Sequence, residues 1–377
     1  MRYVFGFLCV CALALISLPG CGDSVGACSG TLCPCTEQGI LAAVAAGGGP
    51  YTFDCDGPTT VVTTEEIVID KDVILDGDGN LAVDGRVRSD QPVLSVSKGV
   101  KAELHRLATK GGAVGLANQG ALTLRDCVIA GHGSEFLLGG GAGISNAGEM
   151  TIIDSTVTRN FAGHGVGGGI YNDRSATLVL VNSTVSDNGA DGDGGGLYGG
   201  GILNNGDMAI INSTVSGNDA YDAVGTGGLG GGIANAGSMS VTNSTVWGNT
   251  ADSGDAIAAG LSSNTEIANT LIDGDCGVYP PGTPDITSNG YNIESPGNTC
   301  GFDPDGTDMV NVSADDLKLG PLADNGGPTM THALGEDSVA IDHIPAVDCE
   351  VDEDQRGIER PQGDACDVGA FELGVAP

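Results

Sequence analysis

The sequence predicts an all-β protein, a parallel β-helix closed by a short N-terminal helix and, at the far end, by a C-terminal cap. Three observations lead there. A tetrad Gly-[Ile/Leu]-x-Asn recurs, ending in Asn118, Asn146, Asn172, Asn204 and Asn235, with a sixth copy ending in Ser263. Behind each tetrad stands a second polar residue: Asp126, Asp154, Asn182, Asn212, Asn243 and Asn269. Aliphatic residues hold fixed offsets from it. Leu124, Ile152, Leu180, Ile210, Val241 and Ile267 lie two places before, and Ile129, Val157, Val185, Val215, Val246 and Ile272 three places after.

Between these aliphatic positions polar residues alternate, which is the two-residue period of a strand with one buried face. A helix needs spacings of three and four over at least ten residues, and the glycine runs forbid it. Repeats of 26 to 32 residues cannot bury a face alone. Stacked at about 4.8 Å per coil they can, with like residue over like. Aliphatic rows then fill the bore, and asparagines at the bends bond their amides to the rungs above and below. Two such ladders are expected, one at Asn118, Asn146, Asn172, Asn204 and Asn235, the other at Asn182, Asn212 and Asn243. Their role is structural.

Composition narrows the function. Glycine supplies 65 of 377 residues, but without a three-residue period and with 15 prolines collagen is excluded. An apolar content of 40% excludes wholesale disorder. The formal charge is −35, and residues 175–317 hold 18 acidic side chains and no Lys or Arg. Such a surface repels nucleic acid and phosphate cofactors, so cations, neutral molecules such as sugars, or protein are the expected partners.

Residues 1–20 read as an export signal: Arg2, an apolar run through Ile16, then small residues. The run is too short for a membrane span. It closes on Leu18-Pro19-Gly20-Cys21, similar to a bacterial lipobox, so Cys21 is the expected lipidation site. Exported thiols oxidise, and eight cysteines fall into three local groups: Cys28, Cys33, Cys35 and Cys55; Cys276 and Cys300; Cys349 and Cys366. Pairing within the first group is left open. Zinc is disfavoured there because Cys33-Pro34-Cys35 lacks two-residue spacing and no histidine is near. Cys127 is read as a small filler of the bore.

Residues 21–57 form the N-terminal linker and cap. Within them, 37–46 predicts a helix capped by Thr36, with Ile40, Leu41 and Val44 on one face and Gly47 ending it. Strand-like runs at 61–69 and 73–75 begin a β-helix spanning 58–306. Asp76-Gly77-Asp78-Gly79-Asn80 is a turn, since Leu81 and Val87 occupy the places where a calcium loop needs glycine and glutamate. The stretch from Asp273 to Gly306 leaves the repeat, residues 307–377 form the second cap, and acidic 348–354 is a solvated loop.

Gly168-Gly169-Ile170 and Gly200-Gly201-Ile202, with Val-x-x-Asn downstream, resemble polymorphic outer-membrane protein repeats; Val157, Val185, Val215 and Val246 stand where that family has Phe. Further on, Gly320-Pro321-Leu322, Asn325-Gly326-Gly327-Pro328-Thr329, His332-Ala333-Leu334, Ala340-Ile341-Asp342, Asp354-Gln355-Arg356-Gly357, Arg360-Pro361 and Cys366-Asp367-Val368-Gly369-Ala370-Phe371-Glu372 are together similar to the choice-of-anchor Q domain of bacterial surface proteins. The resemblance implies a right-handed β-helix of the pectin-lyase-like type at the outer membrane or cell surface of a Gram-negative-type bacterium, with the lipid at Cys21 as tether. It implies no reaction.

Variable inserts at 133–142, 161–168, 189–200, 219–231 and 250–259 emerge from one side of the stack. They bring Phe136, Phe161, Tyr198 and Tyr221 together with Glu135, His164, Asp191, Asp193, Asp219, Asp222, Asp252 and Asp255. An acidic flank dotted with aromatics suits a sugar or a weakly held calcium ion; solvated turns have the same composition. No other cofactor and no metal centre is expected. The preferred function is non-enzymatic: a monomeric, lipid-anchored surface protein for adhesion or glycan or protein binding. A polysaccharide hydrolase using Asp191, Asp222 and Asp252 on adjacent coils, a lyase, and a plain spacer are the alternatives.

Overall fold

The computed structural model describes residues 27–86, 91–134, 140–163, 166–192, 196–222, 227–279 and 285–374. The stretch read as an export signal, Cys21, Phe136 and Asp193 lie outside them.

The architecture is an all-β parallel β-helix. Its walls are a nineteen-stranded sheet, which supplies two faces, and a nine-stranded sheet. Neighbouring coils pair in register, as in Ile144↔Ile170, Ile152↔Leu180 and Val157↔Val185. All twelve aliphatic positions named above are 0% exposed. Leu116, Ile144, Ile170, Ile202, Ile233 and Ile257 form a third row, equally buried. Each side chain of this kind contributes about 1.5–3 kcal/mol.

The first asparagine ladder runs unbroken. Each amide donates to the next carbonyl oxygen, from Asn118 through Asn146, Asn172 and Asn204 to Asn235, at 2.7–2.8 Å. The second is not a ladder throughout. Asn212 donates to Asn182 at 2.8 Å, but Asn212 Oδ1 and Asn243 Nδ2 are buried without partners. Backbone geometry explains why these residues recur. Asp126, Asp154, Asn182, Asn212, Asn243 and Asn269 have φ of 48–53°, the left-handed corner that joins the two faces of the large sheet. Asn and Asp tolerate that conformation best among residues with a Cβ.

Two ladders went unforeseen. Asn160, Asn188, Asn218 and Asn249 bond in series at 2.9 Å. After each corner, Ser155, Ser183, Ser213 and Ser244 accept the backbone N–H of the coil before at 3.0–3.1 Å.

His132 heads the Asn160 ladder. Its N–H donates to Asn160 Oδ1, Nε2 meets Thr109 Oγ1 at 2.9 Å, and Nδ1 meets Gly111 O. Burial pushes its pKa down to about 4. The folded state therefore favours the neutral ring. Stability is complete above the unfolded pKa of 6.5 and falls as pH drops from there towards about 4, by about 3 kcal/mol. His132→Asn keeps a ladder side chain and removes the titration. Its melting temperature relative to wild type should rise between pH 7.5 and pH 4.5; an unchanged difference would contradict the assignment.

At the N-terminal end the helix α1 (Glu37–Ala46) closes the bore, capped by Thr36 Oγ1 accepting from Gly39 N and ended at Gly47, φ 69°. Ile40 and Val44 are buried, whereas Leu41 points to solvent, against expectation. The Asp76–Asn80 stretch is not a free turn but a bulge inside strand Val73–Asp84, pinned by Arg106 on Asp76. Four disulfides are present: Cys28–Cys33, Cys35–Cys55, Cys276–Cys300 and Cys349–Cys366. Cys127 is buried in the bore, and desolvation lifts its thiol to about 11.

The far end departs most from expectation. The stretch from Asp273 does not leave the repeat; Cys276–Tyr279, Ile286–Gly290 and Ile293–Ser295 each pair with the coil before. Cys300 and Phe302 then plug the bore, and the buried Glu294 carboxylate accepts from Thr299 and Cys300. Only the start of the C-terminal segment covers that end, where Met309 bridges Ile293 of the last coil. The rest folds back along the side of the coils as a strap, packed on Leu271 and Ile293 in an apolar cluster separate from the bore.

Gln355 is the central contact of that strap. Fully buried, it accepts from Thr214 Oγ1 at 2.6 Å and donates to Thr184 Oγ1 and Thr329 Oγ1. Thr184, Thr214 and Thr245 are covered as a result. The motifs singled out in the sequence build a buried knot beneath it. Asp354 holds Arg356, Arg360 pairs with Glu372 at 3.3 Å, and Arg356 lies 3.5 Å over the Phe371 ring. Asp354, expected in a solvated loop, is 0% exposed.

Candidate functional site

After each member of the Asn160 ladder the chain stays extended. Phe161–Gly163, Gly189–Gly192, Asp219–Asp222 and Thr250–Ala251, with Gly133–Ser134 before them, form a five-stranded parallel sheet. The inserts thus begin as an ordered extra face of the solenoid rather than as solvated turns.

Alternation sorts its side chains. Ala162, Ala190 and Ala220 point inward and are buried, and Ala190 and Ala220 form a small apolar cluster with Tyr198. Tyr198 is only 8% exposed and belongs to that support, not to the surface. Phe161, Asp191, Asp219, Tyr221 and Thr250 occupy the outward positions. Phe161 is 47% and Tyr221 56% exposed, more than most large apolar side chains in the chain. Phe161 registers with Gly189, which registers with Asp219; Gly163 registers with Asp191, which registers with Tyr221. The two aromatics are therefore two coils apart, about 9.6 Å along the stack, and offset by two residues along the strand.

Gly189 sets the pose of the first ring. A Cβ built there would come within 3.0 and 3.4 Å of Phe161 Cδ2 and Cε2. The ring therefore leans over a bare stretch of backbone, with its outer side open. A larger residue at Gly189 would lift it.

The aspartates divide. Asp219 Oδ1 accepts from Thr250 Oγ1 at 2.7 Å, which fixes it on the outward face. Asp252 Oδ2 accepts from Gly228 N, and Asp255 Oδ1 from Ala251 N, so both brace the insert backbone. Burial, with Asp275 nearby, raises the Asp255 carboxyl above the usual range, and burial does the same to Asp273. Register sets Asp222 beside Gly192, one place along from Asp191. Asp191 and Asp222 thus stand one coil apart in adjacent columns. Among the described residues no group of three or more His, Cys, Asp or Glu side chains is placed to hold a metal ion.

Sequence reasoning found the exposed aromatics and Asp219 but missed Gly189 and Thr250, the residues that orient them. The signal was present: both stand immediately after a ladder asparagine, in the column of Phe161.

No family model matches this chain, and no curated protein matches it. Among solved structures it is similar to a pectate lyase, Pel9A, with a TM-score of 0.48 and 14% identity over 88% of this chain and 90% of that one. That likeness concerns the path of the chain alone.

Proposed function

We propose that this is an exported β-helix, tethered by lipid at Cys21, that binds glycans without cleaving them. One observation carries the reading: two open aromatic side chains, Phe161 and Tyr221, share one ordered outward face with Asp191 and Asp219. Aromatic faces supply apolar contact to the C–H side of a sugar ring, and carboxylates accept its hydroxyls. A parallel stack holds these groups at fixed spacing, which limits the entropy lost when an extended chain is captured.

The test uses the protein from Ala27 onward, incubated with immobilised neutral and acidic polysaccharides, with calcium or with chelator. Saturable retention without released sugar is expected. Release of products that disappears in Asp191→Asn or Asp222→Asn would replace this reading with catalysis. Absence of retention on every polysaccharide would reduce the protein to a spacer.

A further inference from the structure

Resting on that glycan-binding reading, we infer that the ligand is an uncharged polysaccharide, stacked on Phe161 and running along the coil axis, and that uronate polymers are refused. The argument combines a platform and a field.

The platform comes first. Phe161 is nearly half exposed although it stands in an ordered strand, and it leans over Gly189 rather than standing clear of the sheet. A ring held in this way offers one side to a ligand while the other rests on backbone. Gly189 does not need to be glycine for its own conformation, because it is absent from the positive-φ positions. The space above it is what a side chain would fill. Tyr221, two coils further on and in the outward row of Asp191, gives a second contact along the same axis. A chain spanning both must run across the strands, climbing two coils while shifting two residues along them.

The field decides the class. Asp219 lies in the Phe161 column on the strand of Tyr221 and presents a carboxylate on that face, and Asp191 registers with Tyr221 from the coil before. From 175 to 317 the sequence holds no Lys or Arg; on the Phe161 coil itself Arg159 is exposed, but Asp187, Asp191 and Asp219 on the next two coils outnumber it. A uronate polymer would bring a carboxylate to each ring within a Debye length of these groups, about 8 Å at physiological salt. Several weak repulsions add, and roughly tenfold weaker binding than for the neutral polymer is expected at low salt. Neutral hydroxyls meet acceptors there instead.

The experiment measures affinity for a neutral glucan or galactan and for polygalacturonate or alginate, at 20 and 500 mM salt with chelator present. Expected are tighter binding of a neutral polymer, roughly tenfold loss in Phe161→Ala, and a smaller loss in Gly189→Val, which keeps the ring but lifts it. Phe161→Tyr should restore binding. Far-UV circular dichroism confirms that each variant is folded, and Tyr221→Ala gives an independent reading of the same axis. Equal or tighter binding of uronates at low salt would overturn the inference while leaving glycan binding intact. Neutral binding indifferent to Phe161, Gly189 and Tyr221 would also overturn it. Failure to bind any polysaccharide would instead remove the reading on which it rests.

Discussion

Asp354→Ala is expected to release the C-terminal strap while the coils stay folded. The Asp354 carboxylate is fully buried and accepts five donors: the N–H groups of Arg356, Ile358 and Glu372, and both Nε and Nη2 of Arg356. Alanine leaves those backbone donors unpaired and the mostly buried Arg356 guanidinium without its counter-charge. Breaking a buried pair in this way costs about 3–5 kcal/mol. The apolar cluster that holds the strap is small and shared with Leu271 and Ile293 of the coils, so a loss of that size is a large part of the docking stability. The coils have a separate core and nearest-neighbour contacts, and need not follow. The single tryptophan reports the event. Trp247 packs 6.1 Å from His332, whose Nε2 meets Ser216 Oγ across the strap interface. Release would wet the indole and shift its emission to the red with far-UV circular dichroism unchanged. Unshifted emission, or collapse of the whole β signal, would contradict the docking described.

The second large effect belongs to the bore. Asn172→Leu should destabilise the coils by about 3 kcal/mol or more in urea unfolding. The Asn172 amide donates to Asn204 Oδ1 at 2.7 Å and Asp207 O at 3.1 Å, and its oxygen accepts from Asn146. Leucine fits the volume but strands these groups at a site 0% exposed. Asn243→Gly is the informative contrast. Its Nδ2 is already unpartnered, its only side-chain bond is a long 3.3 Å contact from Asn269, and glycine adopts φ 48° without strain. That change should cost about 1 kcal/mol or less. Equal costs at the two positions would mean that the ladders contribute alike, against the geometry.

The bore was legible in the sequence because it accepts one chemistry at one spacing. Val157, Val185, Val215 and Val246 repeat a requirement that each coil imposes on the next. The corners were legible as a pattern but misread in cause: Asn182, Asn212 and Asn243 recur for their backbone conformation, and an amide ladder among them is only partial. The strap could not be read as a strap. Gln355 finds its partners on the coils 141 to 172 positions away, and no local pattern encodes such a meeting. Its buried knot of Asp354, Arg360 and Glu372 looks in sequence like ordinary charged loop. The site stood in between. Phe161 and Tyr221 were visible as residues, but which way they face follows from strand alternation within inserts of unequal length. Tyr198, chemically alike, stands just past the strand Gly196–Leu197 and is buried against Ala190 and Ala220.

The most direct test of the binding face is saturation-transfer NMR on the protein with a neutral oligosaccharide in excess. Irradiating the aromatic protons should carry saturation to the ring C–H protons of the sugar, and the Phe161→Ala, Tyr221→Ala double variant should abolish that transfer. Undiminished transfer in the double variant would place the sugar elsewhere on the coils and contradict the account.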